Sequence, residues 1–334
     1  MNKALSSRGR MEALLEHAPL DQIPVSFWRH FPVDDQSAEK LAAATIQFQN
    51  TFDFDFIKVS PASSFCIKDW GVMDEWRGNP EGTREYIGGV ISSPEDWSKL
   101  KVLDPFHGSL GRQLECLRLL KKEYGSGVPI IQTVFSPLAQ AKHLVENGKL
   151  LFHLRRYPQE VASGLAVIAK STEAFISACR DIGIDGIYYA IQFGSYNLLS
   201  RHEFEVFQAS FDRSLFPAMR EFWLNVGHIH GTNIMAEEIA MEDYPLHIIN
   251  WHDRETAPNL RDGRDLFKRV VSGGLGRMEP MLLGDMLQIK TLIDDALEQT
   301  CGRDFVLGTG CVLMQASPYG NIRFAVDYAR SLPV

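Results

Sequence analysis

The sequence lacks the features that mark membrane proteins, secreted proteins and proteins with long flexible linkers. No stretch of its 334 residues approaches the roughly 18 uninterrupted apolar residues of a membrane span, and the N-terminus lacks a signal-like apolar core. Its five cysteines are scattered and form no CxxC pair, which argues for reduced thiols rather than a disulfide framework. No low-complexity segment or linker rich in Gly, Pro and Ser is present. We therefore expect a cytoplasmic protein with no membrane partner.

Positive charge is also scarce. The chain has 34 Lys and Arg residues against 42 Asp and Glu residues, a net charge of −8. A nucleic-acid partner is therefore not expected, although a local basic pocket is compatible with this balance. Hydrophobic residues make up 45% and charged residues 23%, the composition of an ordinary globular protein. The length suits either two domains of about 150 residues or one large α/β barrel.

What the sequence does contain is an alternation of short apolar runs with longer amphipathic stretches. Helical periodicity is clearest over residues 160–181, 202–223 and 282–299. Eight strands alternating with helices predict an α/β fold, and specifically a single (β/α)8 TIM barrel over residues 1–334. The eight predicted strands are residues 24–30, 56–61, 129–136, 186–192, 225–231, 245–252, 273–281 and 305–313.

One segment interrupts this alternation after the second predicted strand. Residues 66–104 carry Trp70, Trp76, Trp97 and several glycines, and we interpret them as an excursion from the barrel. Excursions at the carboxyl ends of barrel strands often build the mouth of the active site. The alternative is a hairpin without a functional role.

The strongest chemical feature is the sequence His228-Ile229-His230-Gly231 at the end of the fifth predicted strand. Alternate side chains of a strand share a face, so both imidazoles can reach one metal ion. Cys311 comes after the glycines at the catalytic end of the eighth predicted strand, and two histidines with one cysteine and an open fourth position suit a catalytic zinc site. The alternatives are two hydrogen-bonded histidines and a cysteine that acts as a small buried hydrophobe.

Two polar residues close the sixth predicted strand. His252 is a candidate fourth ligand or general acid, and Asp253 is a candidate hydrogen-bond partner for it. The competing interpretation is that Asp253 caps the next helix and His252 is merely exposed.

Further polar residues fall where a cleft is expected. Glu279, in the seventh predicted strand, is another candidate ligand or base, and Tyr188 and Gln192 are candidate substrate-binding residues. Arg29 and Lys58 would place positive charge at the mouth, which suits a small anionic substrate. Tyr188 would otherwise be a core residue, and the charged residues would otherwise form surface ion pairs.

The order of these motifs resembles the uroporphyrinogen decarboxylase superfamily, which includes zinc-dependent corrinoid:thiol methyltransferases. The resemblance implies a (β/α)8 barrel with a deep cleft at the carboxyl ends of its strands. It spans nearly the whole chain and rests on the segments SRGRMEALLEHAPLDQIPVSFWR, VPIIQTVFSPLAQAKHLVENG, GIDGIYYAIQFGSYNLLS, HIHG and GTGCVLMQASPYGNIRFAVDYA.

The decarboxylase branch of this superfamily works without metal and binds a tetrapyrrole through a pair of arginines. Of that pair only Arg29 is present here, although Ser195 matches the branch's serine. Lys58 stands in place of its aspartate, and His143 stands in place of its tyrosine. We keep His143 and Ser195 as candidate substrate-binding residues, and a metal-free decarboxylase as an alternative function.

The methyltransferase branch holds zinc with a His-x-Cys pair and a second cysteine. His228 and Cys311 match this pattern, whereas His230 replaces a cysteine. Two histidines and one thiolate leave the zinc site with a net charge of +1, which makes it a stronger Lewis acid. The resemblance implies methyl transfer from a corrinoid, carried by a partner protein, to a thiol or related acceptor. A non-catalytic corrinoid or tetrapyrrole carrier is a further alternative, and a homodimer is compatible with the resemblance.

Overall fold

The computed structural model describes residues 4–333, which fold around a curled parallel sheet of seven strands. The strand order is β1-β4-β5-β6-β7-β8-β9, and each neighbouring pair is parallel. Strands β2 and β3 form a separate antiparallel hairpin. The strands are β1 (Ile57–Val59), β2 (Met73–Glu75), β3 (Glu85–Gly88), β4 (Ile130–Phe135), β5 (Gly186–Ile191), β6 (Val226–Ile229), β7 (Ile248–Trp251), β8 (Val270–Leu275) and β9 (Phe305–Thr309).

Helices cover the outer face of the sheet, so the strands are buried on both faces, as parallel sheets require. Their amphipathic sides pack on strands that are entirely buried in β4 to β9, apart from Phe135 at the end of β4. The helices are α1 (Ser7–Leu15), α2 (Ala38–Phe52), α3 (Gly108–Tyr124), α4 (Pro137–Leu144), α5 (Leu150–Arg156), α6 (Pro158–Ile182), α7 (Arg201–Glu203), α8 (Ser210–Arg213), α9 (Phe216–Met219), α10 (Ala236–Met241), α11 (Leu260–Phe267), α12 (Met286–Thr300) and α13 (Tyr319–Ser331).

The segment predicted as the first strand forms a single parallel bridge, Val25 to Leu307. The Ser26 N–H donates to the Leu307 carbonyl at 3.0 Å, and the Asp55 N–H donates to the Val25 carbonyl at 2.9 Å. The segment thus lies between β9 and the residues before β1. Pro24 has no N–H to extend this ladder, which helps to explain why no longer strand forms.

Two boundaries predicted from the sequence are wrong. The predicted strand 273–281 is β8, which begins three residues earlier at the β-branched pair Val270–Val271 and ends at Leu275. Residues 276–281 form a turn, so Glu279 is not in a strand. The predicted helix 202–223 is broken into α7, a π-helical turn (Phe204–Ala209), α8 and α9, since Pro217 cannot continue the hydrogen bonding of α8.

The long helix α6 matches its predicted span closely. Its apolar face, which includes Val161, Leu165 and Ile168, is buried in the core. It is the one helix in residues 4–333 that is long and apolar enough to cross a membrane, with a mean hydropathy of 1.2. More than half of that apolar window, 56%, is buried inside the fold, which is the pattern of a core helix.

The excursion follows β1 and is anchored at two places. The indole of Trp97 is fully buried, packs against Gly164 of α6 and donates to His153 at 3.1 Å. The β2–β3 hairpin rests on α4 through Tyr86, whose ring stacks on His143 at a centroid distance of 3.7 Å. The hairpin loop is thereby held over the carboxyl ends of the parallel strands.

Candidate metal centre

Four potential metal ligands converge at the carboxyl ends of β6, β7 and β9. His228 is the last residue but one of β6, and His230 follows the strand directly. His252 follows β7, and Cys311 follows β9. One ligand atom from each of the four residues lies within 4.8 Å of the others. His230 Nδ1 is 3.4 Å from both His228 Nε2 and His252 Nε2. Cys311 Sγ is 3.7 Å from His228 Nε2 and 3.9 Å from His230 Nδ1.

Strand geometry explains the position of His228. In β6 the alternation of side chains directs His228 to the inner face of the curled sheet, where it stacks on Tyr188 of β5 at 5.4 Å. The β6–β7 register pairs His228 with Asn250, two residues before His252. Asn250 and His252 therefore share the inner face as well.

Asn250 fixes the orientation of the His228 ring. Its Oδ1 lies 2.7 Å from His228 Nδ1, so His228 donates from Nδ1 and presents the lone pair of Nε2 to the cluster. The Asn250 amide is itself held in place, because Nδ2 donates to the carbonyls of Ser272 and Thr309. This is the outer hydrogen bond that orients a metal-binding histidine.

Glu255, not Asp253, is the hydrogen-bond partner of His252. Its Oε2 lies 3.1 Å from His252 Nδ1, which leaves His252 Nε2 facing His230. Asp253 instead accepts a hydrogen bond from the Gly274 N–H and lies 3.5 Å from Arg254. The predicted pairing of Asp253 with His252 is therefore wrong. The helix-cap alternative is also wrong, because the next helix, α11, is capped by Asn259.

The protonation preferences of the cluster suit metal binding. Burial lowers the pKa of His230 to about 4, lowers that of His228 well below its usual value and also lowers that of His252. The Nε2 atoms of neutral His228 and His252 then both direct lone pairs at His230 Nδ1, where a single proton can satisfy only one of them. Burial raises the pKa of the Cys311 thiol, so without a cation the thiol keeps its proton.

The donor set fits zinc. A tetrahedral zinc ion with ordinary Zn–N and Zn–S bonds separates its nitrogen ligands by about 3.3 Å and nitrogen from sulfur by about 3.6 Å. The observed separations are 3.4 Å between nitrogens, and 3.7 and 3.9 Å between nitrogen and sulfur. Three imidazoles and a thiolate are also the ligand types that zinc prefers. Four of the six ligand separations therefore match a tetrahedral zinc site, and all six are within 4.8 Å.

Lys58 lies on the same inner face. Its ammonium donates to Ser60 Oγ at 3.0 Å and sits 4.6 Å from the centre of the Tyr188 ring. Burial lowers the pKa of Lys58 to about 7. No carboxylate forms a salt bridge with it among residues 4–333. The structure thus places a buried amine without a carboxylate partner on Tyr188, whose ring stacks on His228.

Other predicted site residues lie outside the four-residue cluster. Arg29 donates through Nη2 to Gln315 Oε1 at 2.6 Å, at the rim of the mouth. His143 is covered by Tyr86, and Gln192 is half-buried at the end of β5. Tyr188 is fully buried beneath the cluster, with its hydroxyl 3.4 Å from Asn250 Oδ1.

Two candidates lie in positions that favour structural roles. Ser195 Oγ donates to the Thr232 carbonyl at 2.7 Å and joins the loops after β5 and β6. Glu279 is exposed in the turn after β8, beside Leu287 and Gln288 of α12. Neither side chain belongs to the four-residue cluster.

Sequence reasoning missed four polar residues around the cluster: Asn250, Glu255, Arg277 and Gln315. Asn250 could have been found from the alternation within β7, since it precedes His252 by two positions. Glu255 is three residues beyond His252, a spacing common in turns. Arg277 and Gln315 gave no local signal, because their importance depends on how the excursion docks.

The fold and the cluster together define a class: a parallel α/β protein with a His/Cys metal-type site at the carboxyl ends of its strands. Comparison with known proteins makes this assignment more specific. The sequence model of the uroporphyrinogen decarboxylase (URO-D) family matches residues 8–332. The chain belongs to this family.

Several relatives of the chain are known. It is 24% identical to the methylcobamide:CoM methyltransferase MtbA of Methanosarcina acetivorans, over 96% of this chain and 97% of that protein. It is also 24% identical to a uroporphyrinogen decarboxylase of Syntrophotalea carbinolica, over 72% of this chain and 71% of that protein. A methyltransferase structure from Methanosarcina mazei has the same fold, with a TM-score of 0.84 at 18% identity and 98% coverage of both chains.

Proposed function

We propose that the protein is a zinc-dependent methyltransferase that moves a methyl group from a corrinoid-type donor to a thiol or related acceptor. The observation that carries this proposal is the convergence of His228, His230, His252 and Cys311 at zinc-like separations. The known relatives of the chain include methylcobamide:CoM methyltransferases, which supports the same proposal. The donor would be presented by a corrinoid-carrying partner protein, as the resemblance implies.

The residues divide into two groups in this proposal. His228, His230 and Cys311 are the permanent ligands, and bound zinc would lower the pKa of an acceptor thiol so that the thiolate forms at neutral pH. Asn250 and Glu255 hold the imidazoles of His228 and His252 in orientation through their Nδ1 atoms. The inner wall of the sheet excludes water, since His228 and His252 are only 4% and 3% exposed.

His252 would complete a four-ligand set with the other three residues. Because catalytic zinc sites keep a position for the substrate, His252 is the ligand that the acceptor would replace. Its hydrogen bond to the half-exposed Glu255 would hold the ring beside the site. The two roles predicted for His252, fourth ligand and general acid, both remain part of this proposal.

The test uses protein purified without chelators, a methylated corrinoid donor and a thiol acceptor. We expect close to one equivalent of zinc and thiol methylation that depends on it. His230→Ala should bind zinc more weakly in chelator competition, because only His228, His252 and Cys311 remain, whereas His230→Cys should keep its affinity, because thiolate suits zinc at least as well as imidazole. Equal zinc affinity in wild type and His230→Ala would remove the basis for the proposal.

The metal-free decarboxylase is the alternative. It needs Arg29 and Ser195 free to bind substrate carboxylates, whereas both side chains are engaged, by Gln315 and Thr232 respectively. Loss of tetrapyrrole decarboxylation in Arg29→Gln, with no effect of His228→Ala, would favour it. A non-catalytic carrier would instead retain a coloured tetrapyrrole or corrinoid on purification, which a visible spectrum detects.

We also propose that the curled sheet closes as an eight-stranded barrel, one domain over residues 1–334, with the Val25 segment as its first strand. Hydrogen bonds from this segment to both β9 and Asp55 support this closure. A cytoplasmic location is consistent with the five cysteines, all of which are free thiols. A homodimer remains a prediction, and light scattering of the purified protein would test it.

A further inference from the structure

Hydrogen-bond donors without acceptors collect around the mouth of the sheet. Trp28 Nε1, Arg29 Nε and Arg277 Nε are buried and donate no hydrogen bond to any residue within 4–333. Indole and guanidinium groups can only donate. Lys58 adds an ammonium that has a single hydroxyl partner. This side of the site therefore suits a ligand that brings acceptor atoms or negative charge.

Arg277 is the member of this group that lies beside the strand end carrying Cys311. It lies two residues beyond the end of β8. The Gly310 N–H donates to the carbonyl of Leu275, the last residue of β8, at 3.4 Å, so the segments that carry Arg277 and Cys311 leave neighbouring strand ends together. An anion held by Arg277 would therefore sit close to the metal ligands.

The excursion supplies an anion at this place. Glu81 Oε1 is 2.8 Å from Arg277 Nη1, and the two side chains are 34% and 15% exposed. This ion pair is therefore the link between the hairpin loop and the metal-type site.

The residues beside Glu81 contact residues at the mouth of the sheet. Gly82 has a φ of +84°, and a Cβ added to it would lie 2.3 Å from Gln315 Nε2 and 2.7 Å from His30 Cβ. The Pro80 carbonyl accepts a hydrogen bond from the Gln315 N–H at 2.8 Å. Residues 79–82, which we call the cover loop, thus close over the mouth on the side of Arg277.

We propose that Arg277 selects an acceptor that carries a negatively charged group, and that Glu81 occupies Arg277 until this acceptor binds. Binding exchanges the Glu81 carboxylate for the anionic group of the acceptor and releases the cover loop. The inference rests on the proposed function for the existence of a thiol acceptor. Its own residues, Arg277 and Glu81, are separate from the four metal ligands.

The test compares two thiols of equal size on the full chain loaded with Co²⁺, whose thiolate absorbance reports binding. The probes are 3-mercaptopropionate and its neutral amide. We expect wild type to bind the carboxylate at least about tenfold more tightly, as a charge-assisted arginine contact predicts. Arg277→Gln should abolish this preference while the affinity for the amide stays within about twofold, because the amide uses only the metal.

Glu81 gives the second arm of the test. Glu81→Gln should tighten binding of the carboxylate several-fold, because the internal competitor is removed. The matched control is Glu75→Gln, which changes an exposed carboxylate of the same excursion that lies 2.9 Å from Arg77. The control should leave both affinities unchanged. Equal binding of the two thiols to wild type, or a preference that survives in Arg277→Gln, would overturn the inference.

A metal-independent measurement separates this inference from the proposed function. If no thiol signal appears at cobalt, the proposed function fails, but release of the cover loop can still be observed. We expect 3-mercaptopropionate to accelerate tryptic cleavage after the exposed Arg77 in metal-free wild type and not in Arg277→Gln. Absence of this acceleration in wild type would overturn the inference by itself.

Discussion

Two neighbouring tyrosines of β5 lead to two very different buried polar clusters. Tyr188 faces the inside of the curled sheet and stacks on His228, in the His/Cys cluster. Tyr189 faces the helices on the outside and donates to the buried carboxylate of Asp212 at 2.6 Å. Both clusters are buried, but the outer one satisfies all of its hydrogen-bonding groups and the inner one does not.

The outer cluster is complete. Asp212 Oδ1 accepts from Tyr189, while Oδ2 accepts from the Tyr244 hydroxyl and from Gln208 Nε2, each at 2.6 Å. Every carboxylate oxygen thus has a donor, and nothing else is needed. A network that is fully satisfied by its own members rigidifies the fold.

The inner cluster is incomplete by the same measure. The Nε2 atoms of His228 and His252 both face His230 Nδ1 as acceptors, since their Nδ1 atoms are already used by Asn250 and Glu255, and one proton on His230 can satisfy only one of them. A cation bound among these atoms would satisfy them together. The outer cluster, which satisfies all of its hydrogen-bonding groups, is structural. The inner cluster, which leaves acceptors unsatisfied, has the character of a binding site.

Removal of the Asp212 carboxylate should have the largest effect on stability. Asp212→Ala leaves three buried donors without acceptors, at about 1–3 kcal/mol each, so we expect a loss of at least about 3 kcal/mol. Urea unfolding measures it. Zinc content per folded molecule should stay unchanged, and a parallel loss of zinc would contradict the separation of the two clusters.

Metal addition should stabilise the protein through the inner cluster alone. At free zinc one hundred times its dissociation constant, linkage predicts a gain of about 2.7 kcal/mol in the free energy of unfolding. The gain should appear in wild type and in Asp212→Asn and disappear in His228→Ala. An equal gain in His228→Ala would place the bound zinc elsewhere.

Asn250 should affect the metal without being a ligand. Asn250→Ala releases the His228 ring, and we expect zinc affinity to fall about 10–100-fold in chelator competition. Asn225→Ala is the matched control, because Asn225 is equally buried at the opposite end of the sheet and bonds Ile187, Met219 and Pro245. The control should lose stability and keep its affinity for zinc.

The last predicted effect is a change in the free energy of unfolding with pH. Burial raises the pKa of Asp212 from 3.8 to about 7, so between these values the folded state binds more protons than the unfolded state. Stability should therefore fall as pH rises from about 4 to 7, by at most about 1.4 kcal/mol per unit from this group. Asp212→Asn should flatten this slope; an unchanged slope would mean that Asp212 ionises in the folded state as it does in the unfolded chain.

The inner cluster was partly predictable because its ligands obey local rules. His228 and His230 share a strand face, and Cys311 follows two glycines at a strand end, so their positions in the sequence alone identified them as candidate ligands. The alternation of strands and helices likewise predicted the α/β fold. The glycines of β8 misled the boundary prediction, since Val270 and Val271 before them begin that strand.

The rest depended on contacts that spacing does not reveal. Asn250 meets His228 through the β6–β7 register, and Arg277 meets Glu81 only because the excursion folds back over the mouth. Asp212 joins tyrosines 23 and 32 residues away. These partners become visible once tertiary packing is known.

Anomalous scattering at the zinc absorption edge, from crystals grown without chelators, tests the central claim most directly. We expect one strong peak at bonding distance, about 2.0–2.3 Å, from His228 Nε2, His230 Nδ1, His252 Nε2 and Cys311 Sγ. We expect no peak beside Asp212, whose carboxylate is already satisfied. A cluster without a peak in protein that contains zinc would contradict the account.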